Sequence, residues 1–243
     1  MKKRIQQLFK KSYKTIENDA FLKRIRATII GEGMLHEGNI YLMDYAIQHM
    51  PDDGIVLEIG SYAGLSTNVL LHLLQKHHKK HTFIGCDAWI YEGFNDHTGN
   101  IETHIDGKAE VSRKDYVAYI KTAFINAAQL LHPNAKPFTC HMPSDIFFEN
   151  WNSKNEFTDV FERTFSIQDT ISFCYIDGDH SYEQAKKDFE NVAAKLKRNG
   201  FILLDDSADY LNFGSKNLIE DIKNDHRFTI IDSNPNYLIQ KVN

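Results

Sequence analysis

Three carboxylates and a histidine carry the chemistry that this sequence suggests first. Asp177 ends the apolar run 172–176, Asp205 and Asp206 end the run 201–204, and His180 follows Asp177 by three residues. Carboxylates brought together repel, and at least one pKa rises unless something neutralises them. A hard divalent cation with oxygen ligands is one answer. Mg2+ suits such a set, because it uses few protein carboxylates and keeps positions for water and substrate oxygens. The simpler alternative is that Asp177 caps the helix behind it and Asp205-Asp206 begin a loop. A neutral imidazole at the position of His180 can take the proton of a hydroxyl that attacks an electrophile, and a metal on the same oxygen would ease that loss. His36, His97, His104 and His141 compete for the role.

A second chemical stretch is Val56-Leu57-Glu58-Ile59-Gly60-Ser61-Tyr62-Ala63-Gly64-Leu65-Ser66. An aliphatic run ends in a carboxylate, passes two glycines four apart, and continues with Leu65, Val69, Leu70, Leu73 and Leu74 at helical spacing. This is a strand, a tight turn and a helix start. Such a turn offers backbone N–H groups and the positive end of a helix to a polar or anionic ligand. Asp87 ends the next apolar run, 82–87, where the following strand of a βαβ unit delivers an acid to a pair of ribose hydroxyls. The cluster His77-His78-Lys79-Lys80-His81 reads as a cationic helix end that complements the helix dipole rather than as a metal site.

The elements that must position these residues follow from periodicity. Ile40, Leu42, Met43, Ala46 and Ile47 predict a helix over 39–50, before Pro51. Strands are expected at 136–141, 172–176 and 201–204, with a helix over 117–131 and a turn at Pro143-Ser144-Asp145. Residues 151–170 carry no clear pattern. Ser181 with Gln184 forms a capping box for a helix striped by Tyr182, Ala185, Phe189, Val192, Ala193 and Leu196 and closed by Lys195, Lys197, Arg198 and Gly200. A helix near 216–223 leads to strands 228–232 and 237–242, whose short connection requires antiparallel pairing. The sum is an α/β fold, a doubly wound Rossmann-like sheet of seven strands, mostly parallel with one antiparallel strand near the C-terminal edge. In such sheets ligands lie beyond the carboxyl ends of the strands, where Gly60, Asp87, Asp177 and Asp205 all fall.

Bulk properties narrow the class. The 243 residues are read as one domain, 1–243, with N-terminal helices or a lid over 1–50 and an inserted substrate-covering loop over 90–114. Residues 1–29 set lysines around apolar positions, the pattern of a basic amphipathic helix that either packs on the domain or forms a membrane-surface or partner-binding arm. With 28 Lys+Arg against 33 Asp+Glu the net charge is −5, which disfavours nucleic acid as partner. Three cysteines in apolar runs read as free thiols of a cytoplasmic protein, and no run suits stable membrane insertion.

The motif 58–66, with Asp177 and Asp205 downstream, resembles class I S-adenosylmethionine-dependent methyltransferases. It is most similar to the catechol O-methyltransferase-like group and its relatives that act on natural-product sugars. The segments Tyr175-Ile176-Asp177-Gly178-Asp179-His180-Ser181-Tyr182-Glu183 and Gly200-Phe201-Ile202-Leu203-Leu204-Asp205-Asp206 carry that likeness. The resemblance implies a cofactor site of Glu58, Gly60, Ser61, Tyr62, Gly64, Ser66, Asp87, Ala88 and Asp177, with Ser144 at the adenine. It implies Mg2+ on Asp177, Asp205 and Asp206, and O-methylation of a small molecule. The catechol branch has Lys in place of His180 and Asn in place of Asp206, which argues against catechol as substrate. Two other readings share parts of the pattern. A nicotinamide dehydrogenase would use the same turn and Asp87, but G-S-Y-A-G lacks G-x-G-x-x-G. A noncatalytic module would keep the pocket alone. Homodimerisation is left open.

Overall fold

The computed structural model describes residues 13–16, 19, 22, 35–90 and 113–243. Most of the expected N-terminal helix and nearly all of the expected covering loop, including His97 and His104, lie outside the described residues. Helix α1 (Glu37–His49) leads into β1 (Ile55–Ile59), α2 (Leu65–Lys76), β2 (Thr82–Asp87) and α3 (Arg113–Leu131). Then come β3 (Phe138–His141), α4 (Ser144–Asn152), the short strands β4 (Phe157–Thr158) and β5 (Thr164–Phe165), and β6 (Ile171–Ile176). Helix α5 (Tyr182–Lys195), β7 (Leu196–Leu204), α6 (Gly214–Lys223), β8 (Phe228–Ser233) and β9 (Tyr237–Lys241) complete the chain.

The main sheet has seven strands in the order β3-β2-β1-β6-β7-β9-β8. Its first five strands are parallel, and β9 runs antiparallel to both β7 and β8. This is the expected Rossmann-like sheet with one reversed strand beside the edge. Strands β1 and β6 are buried along their whole length, which is why they read as unbroken apolar runs. Alternate residues serve opposite layers. Ile55, Leu57 and Ile59 face the core shared with α4, α5 and α6, whereas Val56, Phe173, Tyr175, Phe201 and Leu203 face the core shared with α1 and α2.

Register places the chemistry. Ile59 stands opposite Cys86 and Ile176, and Ile176 opposite Leu204. One residue further, Gly60 N–H donates to Cys86 O (2.9 Å), Asp177 N–H to Ile59 O (2.7 Å) and Asp205 N–H to Ile176 O (2.9 Å). The ladder thus runs one step past the strands, and three strand ends leave the sheet level with one another.

Several boundaries differ from expectation, each for a local reason. The turn at 143–145 begins helix α4, with Pro143 outside it as cap residue and Phe147, Phe148 and Trp151 buried on one side. The patternless 151–170 holds the β4–β5 hairpin. Phe157 and Phe165 of that hairpin stack together, and Phe157 also meets Phe147 at 5.0 Å between ring centres. Helix α5 passes into β7 without a loop, so Lys197, Arg198 and Gly200 belong to the strand. Phe147 is fully buried among three rings, Phe148 and Trp151 of its own helix and Phe157 of β4. Phe147→Ala is expected to lower the unfolding free energy by about 3–5 kcal/mol, read as a shift in the urea midpoint with an unchanged slope.

Candidate active site

The turn after β1 is tighter and more self-contained than a bare cradle. Gly60, Tyr62 and Gly64 all have positive φ (84°, 46° and 92°). A Cβ on Gly60 would lie 1.9 Å from the Asp177 carbonyl oxygen, so only glycine lets β1 and β6 leave the sheet side by side. The Asp87 carboxylate turns back onto this turn. Its Oδ2 accepts from the N–H groups of Ser61 (2.7 Å) and Tyr62 (2.8 Å), and its Oδ1 from Trp89 N–H (2.5 Å). The Asp87 carboxyl is nonetheless raised above the usual carboxylate range, mainly by burial. Expectation and structure therefore part in one respect. Two of the N–H groups expected to be free are held by Asp87, which acts first as the turn's own anchor and has limited acceptor capacity left for a ribose. Gly64, packed against Phe124, caps α2 with no side-chain hydrogen bond.

Beneath the turn lies Glu58, wholly buried. Its Oε2 accepts from Ser61 Oγ (2.7 Å) and Thr67 Oγ1, while Oε1 has no hydrogen-bond partner among the described residues. Burial pushes the carboxyl up to about 7, against the opposing pull of the hydroxyls of Ser66, Thr67 and Ser61. Trp89 closes the outer side, donating Nε1–H to Tyr62 O (3.0 Å) and packing on Phe124. Beside it His141 lies 3.1 Å from Ala88 O and 2.8 Å from Lys121 Nζ, at the edge of the expected cofactor position. Sequence reasoning missed Trp89 and Lys121. Ser144 begins α4 and accepts from Gln184 Nε2 (3.2 Å), which also reaches Asp145 and buried Asp188, so its hydroxyl belongs to the α4–α5 contact.

The three aspartates are adjacent but differently employed. Continuing the alternation of β6 and β7, Asp177 and Asp205 follow Tyr175 and Leu203 toward the α1 layer, and Asp206 takes the opposite step at φ 49°. Asp205 is buried, and Oδ1 accepts from the side-chain amides of Asn39 (2.7 Å) and Asn236. Its Oδ2 accepts the Tyr175 hydroxyl proton (2.7 Å), and that hydroxyl lies 3.1 Å from Asp177 Oδ2. Burial, followed by the charges of Asp205 and Asp206, holds the Asp177 carboxyl well above the usual range. The repulsion anticipated from sequence is thus met by a phenol between the two acids and two amides on Asp205. Asp206 pairs instead with His180, Oδ2 to Nε2 at 3.1 Å, both half-buried, with Phe213 5.3 Å from the imidazole.

These donors do not fit Mg2+ as they stand. Both Asp205 oxygens are engaged, Asp177 shares a hydroxyl with it, and Asp206 is turned to His180. Among the described residues no group of three or more His, Cys, Asp or Glu side chains is arranged to hold a metal ion. The rival histidines within the described residues have other duties. His36 caps α1, accepting from Gly38 N–H (2.9 Å), and His141 is engaged as above. In the expected cationic helix end His77 pairs with Asp44 and Lys79 with Asp52, and Lys76 just before it also reaches Asp44.

Comparison with known proteins gives this geometry a family. The family described as "Methyltransferase domain" matches residues 57–207, from within β1 to just past Asp206. The chain belongs to that family. Comparison with curated proteins returns no match. Among solved structures, an O-methyltransferase of Bacillus cereus in complex with SAH is similar at TM-score 0.56 and 14% identity, covering 99% of this chain and 96% of its own. The O-methyltransferase NovP aligns at TM-score 0.55 and 16% identity over 88% and 83%. An SAH-bound methyltransferase of Podospora anserina aligns at 0.54 and 12% over 100% and 95%. At these identities the likeness is one of fold.

Glu58 yields a pH test with a definite sign. Its folded pKa, about 7, lies above the ordinary value of 4.5. Native protein therefore holds a proton that the unfolded chain releases. The associated stability is present below about pH 4.5 and lost as pH rises through 7, about 3 kcal/mol in all. Glu58→Gln should flatten the decline in unfolding free energy between pH 5 and 8, measured by urea titration at each pH.

Proposed function

We propose that this chain is an S-adenosylmethionine-dependent methyltransferase that transfers the methyl group to a hydroxyl of a small molecule, a sugar or natural product. The observation that carries the reading is the shared carboxyl edge. The Gly60–Gly64 turn and the His180–Asp206 pair emerge from adjacent, level strand ends, so a cofactor on the turn and a base at α5 address the same space. The family match supports methyl transfer, and the O-methyltransferases among the similar folds favour oxygen as acceptor.

The residues fit the cofactor. Glu58 Oε1 and Asn68 Oδ1 are buried acceptors without partners among the described residues, at the turn and the first turn of α2, positions where a ligand rich in ammonium and hydroxyl donors finds complementary groups. Asp87 and Trp89 shape the outer wall. When bound, S-adenosylmethionine supplies an electrophilic methyl group on a sulfonium. His180 does the proton chemistry. Asp206 Oδ2 lies 3.1 Å from its Nε2, where the carboxylate favours the imidazolium formed when Nδ1 accepts the hydroxyl proton. The exposed ring of Phe213 borders this pair and supplies apolar surface for the acceptor.

Calorimetry should show S-adenosylmethionine and SAH binding at one site, and no binding of NAD. Binding of NAD alone would favour the dehydrogenase reading. With methyl-labelled cofactor and a panel of hydroxylated sugars and phenols, His180→Ala should reduce kcat by about 10²–10⁴ while SAH affinity stays near wild type. Cofactor binding with no transfer to any acceptor would favour the noncatalytic module.

A further inference from the structure

Asp205 occupies the strand-end position at which the sequence suggests a metal ligand, yet it is built into the molecule as a tie. Asn39 on α1 and Asn236 at the start of β9 both donate to its Oδ1, and Asn236 Nδ2 also reaches Asn39 Oδ1 (3.1 Å). Asn236 Oδ1 accepts from the N–H groups of Ser207 and Ala208 (3.0 Å each), fixing the segment that follows Asp206. Asn234 continues the tie, its Nδ2 reaching Gly38 O (3.3 Å) and Lys14 O (2.7 Å). Four residues of this set, Asn39, Asp205, Asn234 and Asn236, are buried. A carboxylate that accepts two amides and a phenol has spent its strongest acceptor directions, and a cation could take it only by stripping buried amides of their partner.

We propose that this chain binds no divalent cation at its strand-end aspartates, and that Asp205 is a positioning residue that ties α1 and the β8–β9 turn to the segment carrying Asp206. This rests on the methyltransferase reading for its catalytic meaning: hydroxyl activation falls to the Asp206–His180 pair without a metal. The tie is a buried hydrogen-bonded network in which every partner named donates or accepts. Its loss displaces Asp206 from His180 rather than emptying a coordination site.

The protein, treated with EDTA and dialysed, is titrated with Mn2+ and followed by electron paramagnetic resonance, alone and with saturating SAH. The expected result is no stoichiometric site, any binding being weaker than about 1 mM. A single site tighter than about 0.1 mM that Asp205→Asn abolishes would overturn the proposal. Two variants separate tie from ligand. Asp205→Asn keeps an acceptor for both amides and an N–H for the Tyr175 oxygen, and should keep SAH affinity within about threefold and the melting midpoint within about 2 °C. Asp205→Ala removes the acceptor shared by Asn39, Asn236 and Tyr175 and should lower the midpoint by about 4 °C or more. Equal melting behaviour of the two variants would also contradict the tie. Failure of the wild type to bind SAH would sink the methyltransferase reading, while the Mn2+ titration of the protein alone still decides the role of Asp205.

Discussion

The constraint on which this molecule turns is the need to keep carboxylates at the ends of adjacent parallel strands without mutual repulsion. The β1, β6 and β7 ends are level because the backbone ladder extends one residue beyond each strand. Asp177 and Asp205 therefore emerge together, on the same side of the sheet, in a largely buried place. The chain answers with a phenol and amides: Tyr175 bridges the pair, Asn39 and Asn236 hold Asp205, and burial raises the Asp177 carboxyl above the usual range. Because those amides come from α1 and the β8–β9 turn, neutralising the acids also closes the fold around the site.

The cofactor end obeys the same logic on a smaller scale. Asp87 is buried enough to need donors and finds them in the turn that the sequence offers to a ligand. The turn is thereby rigid before any ligand arrives, which lowers the ordering cost of binding. What remains for a ligand is the uncapped first turn of α2 and the unfilled acceptors of Glu58 and Asn68. The base end is more exposed. His180 and Asp206 lie half-buried beside Phe213, where an acceptor can enter.

Local patterns made much of this legible. Period-two and period-3.6 apolar spacing, the two glycines and the capping box of α5 identify the sheet, its reversed strand and the carboxyl edge. What stayed hidden depends on partners remote in the chain. Nothing near Asp205 announces Asn39 or Asn236, because a buried amide is written like any polar residue until the fold brings it 166 positions to its partner. The alternation of β6 and β7 could have separated Asp206 from Asp177 and Asp205, since Phe173, Tyr175 and Asp177 share one face and Phe201, Leu203 and Asp205 the same one. Helix α4 was obscured because Pro143 and the polar residues after it read as a turn, while the burial of Phe147, Phe148 and Trp151 that stabilises the helix is tertiary.

The central claim is that one crevice at the carboxyl edge holds the cofactor and the proton acceptor together. A crystal structure of the complex with SAH tests it most directly. The homocysteine portion is expected against the Gly60–Gly64 turn with the sulfur directed toward His180, and Asp205 still bound to Asn39 and Asn236. SAH seated elsewhere on the sheet, or a sulfur turned away from His180, would contradict it.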